Sequence, residues 1–128
     1  MQIYCTTCCK EKSTKQGKIP AIQRYLDERI TTCYHKSQQA GKGFRILSGK
    51  YGLLAPTDTI PWYDQVLLEH EINNMIDLVA LQLQTDGISS LVFYAKDPSL
   101  HPDWSTYVHT MVEACNKLAI NLEVKFLD

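Results

Sequence analysis

Apolar positions along the chain fall into short runs separated by stretches of helical period. Residues 2–6, with Ile3 and Tyr4, read as a first strand, and Phe44, Ile46 and Leu47 mark a second over 44–47. ISSLVFYA, residues 88–95, predicts a third, whose Val92-Phe93 run suits burial on both faces. Leu122, Val124 and Phe126 alternate through a fourth over 120–127. Between these runs, Ile22, Leu26, Ile30 and Cys33 recur at helical spacing after Pro20, and Gly41 and Gly43 close that element. Leu68, Ile72, Met75, Ile76, Val79 and Leu83 form the stripe of a second helix, with Asp64 placed to cap it. Val108, Met111, Val112, Cys115 and Leu118 define a third helix over 105–119. The order βαβαβαβ predicts one α/β domain over residues 1–128, a three-layer sandwich around a mostly parallel four-stranded sheet.

That topology says where to look for a site, because open α/β sheets bind ligands outside the carboxyl ends of their strands. The three unusual polar segments, residues 5–18, 48–64 and 96–103, each follow a strand. Parallel strands bring all three to one rim. The middle segment belongs to FRILSGKYGLLAPTDTIPWYD, residues 44–64, a connection too long and too apolar to be a simple link. An ordered site loop is the expectation.

Composition changes the picture mainly through charge. The chain has 128 residues, 45% hydrophobic and 21% charged, enough for one domain with a real core. No apolar run approaches the roughly 20 residues of a membrane span, so no membrane partner is expected. The first residues, MQIYCTTCCKEK, lack a secretory layout, and five cysteines are an odd number for a disulfide framework. A reducing, cytoplasmic setting is the expectation. The net charge of -1 conceals ten Lys and Arg against three acids in residues 1–50, and three against eleven in 51–128. Such asymmetry fits an anionic ligand or nucleic acid, and solvated faces explain it as well.

Cys5, Cys8 and Cys9 contain a C-x-x-C pair, but no second pair and no histidine at ligand spacing completes a zinc site, so no metal is expected. A thiol at Cys8 or Cys9 beside Lys10 and Lys12 would have a lowered pKa and be reactive. Lys10, Lys12, Lys15 and Lys18 suit loose electrostatic contact with phosphate, or a solvated loop. The phosphate-binding G-x-x-x-x-G-K-S/T and G-x-G-x-x-G patterns are absent, and no cofactor is implied. In the middle segment, Ser48 and Gly49 end the strand and Gly52 permits a positive φ or close approach to a ligand. Lys50 supplies a cation, Tyr51 or Tyr63 a ring for a base, and Asp58 or Asp64 a hydrogen-bond acceptor. Each also has a structural reading: Lys50 solvated, Tyr51 packed, Asp58 closing a turn, Asp64 capping a helix. The last segment offers Tyr94, Lys96, Asp97 and His101.

The run from Ile46 to Asp58, with Pro61, Tyr63 and Asp64, resembles the signature of a group of small bacterial and phage proteins. Their Cys-x-Lys-x-Lys element after the first strand is matched by Cys8-Cys9-Lys10-Glu11-Lys12. The run is also similar to the SG-x-YGLL-x-P-x-D stretch of the YaaA peroxide-stress family, though Trp62 here separates Pro61 from Tyr63. The resemblance covers residues 46–64 densely and 8–12 thinly. It implies a fold comparable to uracil-DNA glycosylase and a nucleic-acid connection, while the extra DNA-binding parts of the larger family have no counterpart.

Two functional readings follow. In the first, the domain binds a nucleotide, nucleobase or nucleic-acid segment, with Lys10, Lys12 and Lys50 on phosphate, Tyr51 or Tyr63 stacking, and Asp58 orienting. As an enzyme it would act on an N-glycosidic bond, with Asp58 or Asp64 steadying positive charge and Lys50 a nucleophile if its pKa were depressed. In the second, the protein is a non-catalytic phage or defence factor that sequesters a signalling nucleotide or protein partner. A homodimer anchored by an exposed Trp62 or Trp104 is a third.

Overall fold

The computed structural model describes residues 1–127. Strand β1 (Gln2–Thr7) lies in the middle of a five-stranded sheet of order β4 (Gly52–Leu54), β3 (Gly43–Ser48), β1, β6 (Ser90–Lys96), β7 (Asn121–Leu127). Its neighbours β3 (Gly43–Ser48) and β6 (Ser90–Lys96) both run parallel to it, and β7 (Asn121–Leu127) runs parallel to β6. The apolar runs behave as their burial demands: Leu91 through Ala95 of β6 are all buried, as a doubly covered strand requires.

The fifth strand corrects the expectation of four. After Ser48 the chain turns through Gly49–Tyr51 and returns as β4 (Gly52–Leu54), antiparallel to β3, with Ser48 opposite Gly52 and Leu47 opposite Leu53. The first part of the supposed site loop is therefore a hairpin that closes one sheet edge. A further short pair joins β2 (Ile19–Pro20) to β5 (Thr59–Ile60).

Two apolar layers flank the sheet. Helix α2 (Glu28–Gln39) covers one face, where Ile30 and Cys33 pack with Phe44, Ile46 and Val92. Helices α3 (Ile72–Thr85) and α4 (Ser105–Lys117) cover the other, where Val79, Leu83 and Met111 pack with Ile3, Leu47 and Phe93. The three-layer α/β sandwich is thus observed. Because β1 leads to α2 on one face while β6 leads to α4 on the other, the connections diverge beside the carboxyl end of β1.

Two helix starts differ from expectation. The first helical stretch breaks into α1 (Ala21–Arg24) and α2, because Asp27 accepts from Arg29 N at 3.0 Å and caps a new helix. Asp64 caps nothing: a 3-10 turn over Glu69–Glu71 precedes α3, and the Glu71 carboxylate accepts from Leu68 N at 3.0 Å. Residues 61–68 form neither helix nor strand. No helix is long and apolar enough to cross a membrane among the described residues.

Candidate functional site

The divergence beside β1 opens a hollow of about 530 Å³. Thr7, Cys8, Cys9, Lys10 and Lys12 reach it from the loop after β1, and Asp27 and Arg29 from the start of α2. Asp64, Gln65 and Val66 form a second wall from the irregular segment before α3. Lys96 closes it from the end of β6, with Asp103, Trp104 and Tyr107 from the start of α4. All three strand-following segments therefore meet at one rim.

Arg29, in the sequence only one of ten basic residues in the first half, organises this rim. Its guanidinium donates to Thr7 O at 2.9 Å, Cys8 O at 2.8 Å and Thr6 Oγ1 at 3.1 Å, and pairs with Asp27 at 3.2 Å. It also lies 4.7 Å from the Trp104 ring centroid. One side chain thus ties the end of β1 to α2 and α4. With its donors so occupied, Arg29 holds the floor while Lys10, Lys12 and Lys96 bring further cationic charge to the rim.

Behind the hollow lies a chain of hydroxyls. Tyr63 OH shares a hydrogen bond with Ser48 Oγ at 2.8 Å and another with Tyr25 OH. Ser48 Oγ accepts from Lys50 N and Tyr51 N, both at 3.1 Å, which shapes the β3–β4 turn. Tyr107 OH accepts from Leu67 N at 3.2 Å and lies 4.0 Å from Cys8 Sγ. Burial, then the nearby Cys8 thiol, pushes Tyr63 and Tyr107 well above the ordinary phenol value, so both stay protonated donors.

These contacts reassign several residues from the sequence reading. Cys8, Lys10, Lys12 and Asp64 line the hollow. Ser48, Gly49, Tyr51, Gly52 and Tyr63 do not line it; they build its support. Gly49 sits so close to the 65–67 segment that a Cβ would fall 2.9 Å from Leu67 N and from Tyr107 Oη. Gly52 has φ +71° beneath Gln82, whose side chain accepts from Leu53 N at 2.7 Å. Lys50 Nζ rests 5.4 Å from the Tyr51 ring and 5.8 Å from the Tyr63 ring, and Lys12 Nζ lies 4.7 Å from the latter. The Tyr63 ring is buried among these groups and offers no open face to a base.

Asp58 is not at the hollow at all. Its carboxylate accepts from Ala55 N at 2.8 Å, closing a turn, and it borders a separate depression with Arg45 and Gln82. The lowered thiol pKa expected beside the lysines is reversed at Cys9, where burial outweighs the stabilising backbone N–H groups of Asp27 and Leu26 and raises it. Among the last segment, Lys96 lines the hollow, whereas Tyr94 packs in the α2-side core. Asp97 is spent on Ser99, whose N and Oγ hold its carboxyl below the usual range. Trp104 is 9% exposed and cannot be a surface anchor; Trp62, at 54%, is exposed. No group of His, Cys, Asp and Glu suited to a metal occurs among the described residues, and all five cysteines are free.

Arg29, Asp27 and Tyr107 escaped sequence reading because no motif or spacing marks them, and Trp104 reads there as an exposed anchor and not as part of a site. No family model, curated protein or solved structure matches the chain.

Proposed function

We propose that the hollow beside β1 binds a phosphate-bearing nucleotide or a nucleobase-containing segment of nucleic acid. The observation that carries this reading is the meeting of Lys10, Lys12 and Lys96 from two strand ends in one concavity of nucleotide size. The lysines take the phosphate. Asp64 and Asp103 accept from sugar hydroxyls or a base edge, and Trp104 and Tyr107 supply apolar wall. The likeness of residues 46–64 to the peroxide-stress family fits a shared support for such a hollow, because Ser48, Gly49 and Tyr63 brace it from behind and Asp64 lines it.

Cleavage or exchange at an N-glycosidic bond is the enzymatic form of this reading, with Asp64 as the carboxylate that steadies positive charge on the sugar. Sequestration of a nucleotide without reaction is the alternative. Thermal-shift titration with nucleotides, nucleosides and short DNA at two salt concentrations tests the common core. Binding should raise the melting temperature, weaken with salt, and fall with Lys10→Ala. A panel that leaves the melting temperature unchanged refutes it. Asp64→Asn then separates the forms: an enzyme loses turnover and keeps ligand, whereas a sequestering protein keeps its function.

A further inference from the structure

Strand β7 is the long open edge of the sheet, while β4 at the other edge has only three residues. Leu122, Val124 and Phe126 lie opposite Leu91, Phe93 and Ala95, on the face of α3 and α4. Cover there is thin, for Leu122 and Val124 are half-buried and Phe126 is 55% exposed. Glu123 and Lys125 are exposed on the opposite face, beside Val92 and Tyr94. An unpaired edge of this length is a template for another strand.

We propose that a second copy of the chain occupies this edge, its β7 pairing antiparallel about a twofold axis at Val124 and joining the two five-stranded sheets into one. The order of residues within the strand carries the argument. An axis at Val124 is the register that engages all seven residues of β7. It sets Glu123 opposite Lys125 of the second copy, twice over by symmetry, on one face. On the other face it sets Leu122 opposite Phe126 and Val124 opposite itself, covering the apolar side chains that α4 leaves open. Moving the axis by one residue places Glu123 on Glu123 or Lys125 on Lys125, and like charges directly opposite destabilise a pair. Edge lysines ordinarily guard against pairing. Here each lysine meets a glutamate in one register and is repelled in its neighbours, so the charges select an alignment. The strand contributes nothing to the hollow, so each copy keeps its own binding site and this inference stands apart from the proposed function.

Sedimentation equilibrium at low ionic strength tests the pairing. The mass should climb from 14.6 kDa towards twice that value as concentration rises. Glu123→Lys alone and Lys125→Glu alone should each abolish the dimer, with circular dichroism unchanged. Mixing the two variants should restore association as a heterodimer, because each then faces opposite charge at both positions. That rescue separates lost pairing from lost folding. A wild-type chain that stays at 14.6 kDa throughout, a dimer indifferent to both reversals, or variants that fail to associate on mixing would each overturn the proposal.

Discussion

Arg24 is fully buried, yet its guanidinium meets carbonyl oxygens and no carboxylate among the described residues. It donates to Ser13 O at 2.7 Å, Lys15 O at 2.9 Å, Gly17 O at 2.6 Å and Ile60 O at 3.0 Å. The lysine-rich loop is therefore folded around a buried cation and does not wave in solvent. Arg24→Met should cost about 3 kcal/mol, since several buried acceptors lose their donor at once. Chemical denaturation would measure that loss, and faster hydrogen exchange at residues 13–17 would locate it. In the sequence Arg24 was one charge among ten, because periodicity reports which face a residue shares and not what its head group meets. Buried thiols lead to a second residue-level expectation. Burial pushes Cys115 up to about 11 and raises Cys5 as well. The folded chain thus holds protons that the unfolded chain releases near the ordinary thiol value of 9.0. Stability is complete below that pH and is lost as pH climbs towards 11, by about 1.4 kcal/mol per pH unit for each such group. A melting curve taken at intervals across this window should fall steadily, and Cys115→Ala should make the fall shallower.

At the scale of elements, the SGKYGLL run turns out to be a hairpin whose Ser48 hydroxyl and two glycines fix its shape. Gly52→Ala should destabilise by about 1–3 kcal/mol, because φ +71° disfavours a side chain and a Cβ would lie 2.5 Å from Gln82 Oε1. Equilibrium unfolding checks this, and an alanine variant as stable as wild type would contradict it. Strand β6 was legible because a central parallel strand buried on both faces needs a continuous apolar run, and β1 and β3 were legible from shorter apolar clusters at Ile3-Tyr4 and Ile46-Leu47. Strand β4 was not, because three residues between a turn and a proline carry no periodicity. The break between α1 and α2 was hidden for a different reason. Ile22, Leu26, Ile30 and Cys33 keep helical spacing across it, yet Tyr25 turns out of the helix to meet Tyr63, and Leu26 is left 57% exposed.

For the whole molecule, parallel topology made the meeting of three distant loops foreseeable, but not their contacts. Charge segregates along the sequence and mixes in space: Lys96, Asp64 and Asp103 of the acidic half share the hollow with Lys10 and Lys12 of the basic half. Arg29 and Trp104 were invisible as a pair because 75 positions separate residues that only the fold stacks. The central claim is that this hollow is where a nucleotide binds. Amide chemical-shift mapping during titration with a nucleoside diphosphate tests it most directly. Shifts should concentrate at residues 7–12, 64–66, 96 and 103–107. Shifts that cluster instead around Asp58 and Gln82, or none at saturating ligand, would contradict it.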